Sequence, residues 1–181
     1  RAKQAFTLTK EIRDAILRTN PDAEEIIQAQ LLGDDARRYE IHFRESYLIY
    51  TYHGVDIGRY PEVEKHLMQF RSFRDASGKL IGLDHRVTEQ EWYELQQPQM
   101  AYRGLFRKPK IIFPQTGKEC RFFMDDGSRI LDQTVYFLGN SDWFVLGILN
   151  SKSCWNYLAE TCVSLGDPLN KGRLRFLKEY L

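Results

Sequence analysis

The chain has 181 residues, 43% of them hydrophobic and 28% charged, which is typical of a soluble globular protein with a sizeable core. No apolar run approaches the roughly 18 residues that span a bilayer, which argues against a membrane protein. The net charge of +1 gives no overall signal for nucleic acid, so any DNA-binding surface must be a local patch.

The first third of the sequence predicts two helices and a hairpin. Thr9 is a suitable N-cap for an amphipathic helix over Lys10 to Arg18. Pro21 suits the first position of a second short helix, which Gly33 would end, with Ile26, Ile27 and Leu31 facing inward. Aromatic and β-branched residues then alternate from Tyr39 to His53, a pattern that favours a hairpin.

The middle of the chain predicts a helix, a loop and a group of strands. Tyr60 and Pro61 open an amphipathic helix that extends to about Arg74, and Asp75 to Thr88 has the composition of a long functional loop. The expected strands are Lys110 to Phe113, closed by Pro114, then Cys120 to Met124, a turn at Asp126-Gly127, and Thr134 to Leu138.

The last part of the chain is predicted to be helical. Ser141 or Asp142 caps a first helix, and a second helix carries Trp155. Trp143 and Trp155 lie on periodic apolar faces, so we expect both to be part of the helical core. The predicted fold is therefore α+β, with a β-rich body and short N-terminal helices over residues 1–140 and a helical hairpin of the same domain over residues 141–181.

The sequence lacks the motifs of the enzymes that act on DNA. A methyltransferase needs a glycine-rich cofactor loop and an Asn/Asp-Pro-Pro-aromatic loop, but Asn20-Pro21 continues into Asp22 and no Gly-x-Gly occurs. No lysine follows an acid at the two-residue spacing of common nucleases, and the four histidines are dispersed. Asp125 and Asp126 precede Gly127, which indicates a turn. We expect no catalytic centre, cofactor site or metal site in this chain.

Three scattered cysteines, Cys120, Cys154 and Cys162, contain no Cys-x-x-Cys pair, so the sequence supports neither a disulfide framework nor a zinc site. This cysteine usage fits a reducing cytoplasm, the expected location. The chain begins at Arg1 without the pattern of a secretory signal, and we expect it to be a fragment of a longer protein.

Several motifs in the same order resemble one known family. The segments Lys108 to Pro114, Asp132 to Phe137 and Leu146 to Lys152 closely resemble the TaqI-like C-terminal specificity domain of adenine-specific DNA methyltransferases. Leu32 to Tyr39 is similar to a family element that usually reads Gly-Arg-Asp-Ile-basic-basic-Tyr, and Leu174 to Phe176 looks like the closing element. Asp34 and Ala36 depart from that pattern, since they stand where the family commonly has Arg and Ile.

The resemblance implies a twisted β body, followed by a helical pair, that recognises double-stranded DNA for a methyltransferase domain in the parent protein. The parent would be a type II restriction-modification enzyme that binds S-adenosylmethionine and methylates adenine at N6. An attached Mg²⁺-dependent nuclease is an open alternative. The fragment itself would not be an enzyme.

The charge pattern suggests which side chains contact DNA. The stretch from Arg103 to Arg121 is rich in positive and aromatic residues that suit phosphate contacts, and a second basic cluster lies at the C-terminus. Arg86 and Gln115 are our candidates for reading base edges. The predicted DNA-binding residues are Arg37, Arg38, Arg74, Lys79, Arg86, Arg103, Arg107, Lys108, Lys110, Gln115 and Lys118. Arg37 and Arg38 could instead pair with Asp34 and Asp35 to brace their loop.

A second function remains open from the sequence alone. The near-neutral net charge and the altered Gly33 to Tyr39 element are compatible with a structural domain that docks onto other restriction or phage-defence subunits. An excised module would also leave apolar surface where a neighbouring domain had packed. A free-standing hydrolase is disfavoured, because no nucleophile, base and orienting group can be assembled from these motifs.

Overall fold

The computed structural model describes residues 2–86, 89–98, 100–165 and 174–176 and divides the chain into two compact units. The first unit comprises residues 1–29 and 45–101, and the second comprises residues 30–44 and 102–181. Residues 30–44 thus belong with the C-terminal half of the chain, and the expected division of one domain at residue 140 stays a prediction. Among the described residues, no helix has the length and apolarity that crossing a membrane requires.

The first unit combines short helices with a small antiparallel sheet. Strand β3 pairs with β1 on one side and with residues 27–29 of β2 on the other. The elements in chain order are α1 (Ala2–Phe6), β1 (Thr7–Leu8), α2 (Lys10–Thr19), β2 (Ile27–Leu31), β3 (Tyr47–Ile49), α3 (Pro61–Met68), β4 (Phe73–Arg74) and β5 (Leu80–Ile81). Ile16 of α2, Ile49 of β3 and Val63 and Leu67 of α3 are buried in its core.

Two predictions for the first third of the chain were wrong. After a short 3₁₀ helix at Pro21–Glu25, the expected second helix is strand β2, because Ile27 pairs with Ile49 across the sheet and this tertiary contact overrides helical spacing. The expected hairpin over residues 39–53 contributes only β3. Tyr39 and Glu45 both have positive φ, which interrupts the extended backbone that a continuous hairpin needs.

The predicted loop after α3 is largely a β-hairpin. Helix α3 ends at Met68 and not near Arg74 as predicted. Phe73 and Arg74 instead form β4, which pairs with β5. The Oδ1 atom of Asp75 accepts the backbone N–H groups of Ser77 at 2.9 Å and Lys79 at 3.1 Å, which closes the turn. Residues 87 and 88 of the predicted loop lie outside the described residues.

The second unit is built around β6, which lies between β10 and β8 in an antiparallel sheet. A separate three-stranded sheet has the order β11-β12-β7, and residues 30 and 31 of β2 pair in parallel with β9. The elements are α4 (Arg103–Phe106), β6 (Lys110–Pro114), β7 (Thr116–Gly117), β8 (Phe123–Asp125), β9 (Ile130–Leu131), β10 (Val135–Leu138), α5 (Trp143–Leu149), α6 (Lys152–Thr161), β11 (Val163–Ser164) and β12 (Leu174–Arg175).

The predicted C-terminal helical pair is α5 and α6, so the α+β fold class is confirmed. The side chain of Asp142 accepts the N–H of Phe144 at 2.7 Å, and that of Ser151 accepts the N–H of Cys154 at 3.1 Å. Both helices pack on an aromatic core that includes buried Phe113, Phe122 and Phe176. Trp155 packs against this core as expected.

The prediction that Trp143 is a core residue was wrong. Its side chain is 70% exposed, because Trp143 is the first residue of α5 and the helix turns Leu146 towards the core instead. Phe144 and Ile148 are exposed on the same helix, at 74% and 51%. Helix α5 therefore presents a row of large apolar side chains to solvent.

Candidate nucleic-acid interface

Strand β6 divides the basic stretch that the sequence indicated. The strand is five residues long, so its ends are separated by about 13 Å, calculated from the rise of an extended chain. Arg103, Arg107 and Lys108 precede the strand, whereas Gln115 and Lys118 follow it. The predicted patch is therefore two groups of side chains at opposite ends of one strand.

Arg107 and Lys108 are the clearest candidates for phosphate contacts. Both side chains are exposed, and no acidic side chain within the described part of the chain forms an ion pair with either. They occupy the short connection between the end of α4 and the start of β6. Arg103, at the start of α4, is half-buried. Two adjacent positive charges without an internal counterion are suited to an anionic ligand.

The structure corrects the prediction that Lys110 contacts phosphate. Its side chain is 1% exposed, and its Nζ atom donates to the carbonyl of Phe106 at 2.8 Å and to Oδ2 of Asp125 at 2.5 Å. A longer contact of 3.4 Å reaches the carbonyl of Lys108. Lys110 and Asp125 are opposite each other in the register of β6 and β8, which explains why the ammonium points inward.

A tight turn follows Asp125 and lies against the Arg107–Lys108 connection. Asp125 is fully buried and also accepts the N–H of Gly127 at 3.0 Å and Nη1 of Arg129 at 3.3 Å. The next residue, Asp126, accepts hydrogen bonds from the side chain and backbone of Ser128, and these bonds lower its pKa. Asp126 is therefore ionised at neutral pH and contributes one exposed negative charge to this surface.

Two further positive side chains were missed by the sequence reasoning. These are Arg129 and Arg44. The guanidinium of Arg129 lies 5.9 Å from the centre of the Phe43 ring, and Arg44 directly follows Phe43 in the sequence. Nε of Arg44 donates to Oδ1 of the buried Asp35 at 2.7 Å, while its side chain remains 53% exposed. Arg129 also forms an ion pair with Asp125, and the only sign of this pair in the sequence is the spacing of four residues between them.

The group at the other end of β6 is more dispersed. Lys118 is exposed, and the side chain of Gln115 is half-buried and donates to the hydroxyl of Tyr136 at 2.9 Å. Arg175 is exposed on β12, opposite Thr116 in the sheet register. Arg175 belongs to the predicted C-terminal basic cluster, whose other members, Lys171, Arg173 and Lys178, lie outside the described residues.

Arg37 and Arg38 hold their loop through backbone carbonyls. Arg37 donates to the carbonyls of Asp34 at 2.6 Å and Ala36 at 2.9 Å, and Arg38 donates to the carbonyl of Asn150 at 2.6 Å. Neither arginine pairs with the carboxylate of Asp34 or Asp35, because Asp35 is engaged by Arg44 and by the N–H of Leu32. The predicted pairing of Arg37 and Arg38 with Asp34 and Asp35 was therefore wrong, and the predicted contact of these arginines with phosphate stays a prediction.

Three of the predicted DNA contacts lie in the first unit, and two of them are exposed while the third is bonded inside the protein. Arg74 and Lys79 are exposed on the β4–β5 hairpin, where Arg74 donates to the carbonyl of Gly78 at 2.8 Å. Arg86 is surrounded by the backbone carbonyls of residues 83, 91, 92 and 94, at 2.7–3.2 Å. Burial lowers the pKa of Arg86, but a guanidinium remains charged at neutral pH. The structure therefore corrects the prediction that Arg86 reads a base, because its donors are already used inside the protein.

Comparisons with known proteins match this fold and sequence. The family model of the TaqI-like C-terminal specificity domain matches residues 28–174. The Type II methyltransferase M.BanIII from Aneurinibacillus aneurinilyticus is 30% identical over 135 residues, which cover 71% of this chain and 22% of that protein.

A solved structure of the Type IIL restriction-modification enzyme MmeI in complex with DNA has a similar fold, with a TM-score of 0.54 and 14% sequence identity. The match covers 96% of this chain and 22% of that one. The chain thus spans about a fifth of the length of each of these proteins. Together with the family model, the order of motifs and the architecture lead to one assignment: the chain belongs to the TaqI-like C-terminal specificity domain family.

Proposed function

We propose that this chain is the DNA target-recognition domain of a type II restriction-modification enzyme that methylates adenine at N6. It binds double-stranded DNA and positions a target sequence for a methyltransferase domain in another part of the parent protein. Membership of a specificity-domain family supports the general role. The observation that carries the DNA contact is the exposed pair Arg107 and Lys108, which no described acidic side chain neutralises.

The chemistry of the reaction would be supplied by the rest of the parent. S-adenosylmethionine needs a glycine-rich loop, and this sequence contains neither that loop nor the Asn/Asp-Pro-Pro-aromatic motif, so these residues do not fit the cofactor. Among the described residues, no group of three His, Cys, Asp or Glu side chains is arranged to hold a metal ion. The contribution of this chain is therefore binding and orientation of the duplex.

Salt-dependent DNA binding tests this function. Each phosphate contact releases counterions, so the logarithm of the binding constant should fall linearly with the logarithm of salt concentration. We expect the chain to bind a fluorescent mixed-sequence duplex, and Arg107→Ala and Lys108→Ala should each reduce the slope by about 1. Lys152→Ala, which removes an exposed lysine from α6 of the same unit, is the matched control and should leave the slope unchanged.

Sequence specificity requires a second measurement. Selection from a pool of random duplexes should enrich a preferred site of a few base pairs, because a specificity domain must discriminate among sequences. The proposal fails if the chain shows no salt-dependent binding and no sequence preference, even after it is joined to a methyltransferase domain of the family.

One observation favours the alternative of a protein-interaction domain. The exposed Trp143, Phe144 and Ile148 on α5 are apolar side chains of the kind that a partner domain would cover. Under this alternative, a Trp143→Ser/Phe144→Ser variant would lose DNA-independent capture of another restriction or phage-defence subunit, while DNA binding would be unchanged. Capture that persists in this variant argues against the α5 surface as the site of docking.

A further inference from the structure

We infer that Lys110, Asp125 and Gly127 are positioning residues that hold the Arg107–Lys108 backbone in place for contact with a phosphate group. This inference rests on the proposed DNA-binding function. Lys110 and Asp125 are buried and Gly127 has no side chain, so none of the three presents a side chain to DNA. Their effect is exerted through the backbone of the connection between α4 and β6.

The Lys110 ammonium group fixes the start of this connection. Its contacts with the carbonyls of Phe106 and Lys108 and with the Asp125 carboxylate match the three donors of a lysine. The Phe106 carbonyl belongs to the last residue of α4, where helix carbonyls lack partners within the helix. Lys110 therefore acts as a cap for α4 and ties it to β8 through Asp125.

The turn after Asp125 holds the same connection from another side. Gly127 has a φ of +90°, and a Cβ atom at this position would lie 2.6 Å from the carbonyl carbon and oxygen of Arg107 and 2.9 Å from the nitrogen of Lys108. Only a residue without a side chain can approach a peptide group this closely. In addition, the N–H of Lys108 donates to the carbonyl of Leu105 at 3.1 Å.

A fixed backbone reduces the entropy cost of binding. Arg107 and Lys108 lose conformational freedom when they bind a phosphate, and a mobile backbone would add to that loss. If the connection is already held by a buried ion pair, a turn and a backbone hydrogen bond, only the two side chains need to become ordered on the phosphate. The close approach of Gly127 to the peptide between Arg107 and Lys108 also fixes the point from which both side chains extend. Positioned phosphate contacts set the orientation of the protein on the duplex.

Substitution of Gly127 separates positioning from charge, because it changes no ionisable group. Gly127→Ala should push the Arg107–Lys108 peptide away and lower the salt slope of duplex binding by about 2, as does the double variant Arg107→Ala/Lys108→Ala. Salt rises fourfold between 50 and 200 mM KCl, so a slope smaller by about 2 means that the factor by which affinity falls should be about 16-fold smaller for the Gly127 variant than for the wild type. A triple variant carrying all three changes should bind no more weakly than the double variant.

Three controls separate a local effect from general damage. Gly127→Asn also adds a side chain, but Asn tolerates positive φ, so it isolates the steric contact from backbone strain. Gly54→Ala introduces similar strain at a φ of +83° with no atom within 4 Å of the added Cβ. Gly104→Ala adds a methyl group within α4, also with no atom within 4 Å. Both of the latter variants should retain the wild-type slope.

The outcomes distinguish this inference from the proposed function. A wild-type chain without salt-dependent binding overturns both. If the wild type binds and Arg107→Ala/Lys108→Ala binds equally well, the DNA-binding function stands and the positioning role is wrong. A folded Gly127→Ala variant with the wild-type slope, or a triple variant with additive loss, also overturns it. If both Gly127 variants fail to fold, hydrogen exchange of the wild-type Lys108 amide decides, since exchange as fast as in an unstructured peptide would contradict a fixed connection.

Discussion

Replacement of Arg86 by Ala should destabilise the first unit strongly and leave DNA recognition unaffected. The guanidinium donates from Nη1 to the Glu94 carbonyl at 2.7 Å, from Nη2 to the carbonyls of Glu91 and Trp92, and from Nε to that of Leu83. These bonds connect the segment 91–94 to the short helix at residues 83–85. An alanine side chain makes none of them.

The expected loss of stability follows from the number of bonds. A net contribution of about 1 kcal/mol for each lost hydrogen bond gives about 4 kcal/mol for the four. Because the site is only partly buried, water can hydrogen-bond to some of the carbonyls that Arg86 leaves, so the value for an ordinary hydrogen bond applies and not the about 1.5–3 kcal/mol of a bond to a charged group. With a urea dependence of about 2 kcal/mol per M, the unfolding midpoint should decrease by about 2 M.

Urea unfolding followed by the fluorescence of Trp92 measures this change, because Trp92 packs on the core of the same unit. Arg74→Ala is the matched control, since Arg74 is exposed, belongs to the same unit and makes one hydrogen bond to a carbonyl. Its midpoint should stay within about 0.5 M of the wild type. An Arg86→Ala variant that unfolds like the wild type but changes its preferred DNA site would refute the structural role and restore Arg86 as a base reader.

Three other measurements test single features. Asp34→Arg places a positive charge at an exposed position where the family commonly has Arg, so DNA affinity should rise and the salt slope should steepen by about 1 in the same binding assay. Burial would raise the pKa of Glu94, but hydrogen bonds from His53 and the N–H of Gly54 outweigh it and lower the pKa below 4.5. The stability advantage of the wild type over Glu94→Gln in urea unfolding should therefore be present above pH 4.5 and shrink as the pH falls through the lowered pKa. Burial and the neighbouring Cys154 raise the pKa of Cys120 to about 12, so mass spectrometry should detect alkylation of Cys120 at pH 8 only after unfolding.

Elements with a strong local signal were predictable from the sequence. The helix after Thr9, strand β6 and the Asp142 cap of α5 all lie where spacing and capping residues indicated. Strand β2 was not predictable in this way, because Ile27 and Leu31 fit one face of a helix as well as they fit a strand. Its identity depends on pairing with Ile49, which is distant in the sequence.

The candidate interface was predictable in composition but not in arrangement. The sequence identified Arg107 and Lys108 as positive and close to a strand. It could not show that Lys110, two residues later, is neutralised by Asp125, because the partner belongs to another strand. Arg86 was misassigned for a similar reason, since its acceptors are backbone carbonyls, which leave no mark in the sequence.

The interleaving of the two units limits how such a domain can be exchanged between proteins. The chain passes from one unit to the other near residues 30, 45 and 102, so no single cut separates them. A chimera joined between residues 30 and 102 would take parts of the same unit from different parents. Recombination that preserves folding must therefore transfer both units together, which favours inheritance of this domain as one block.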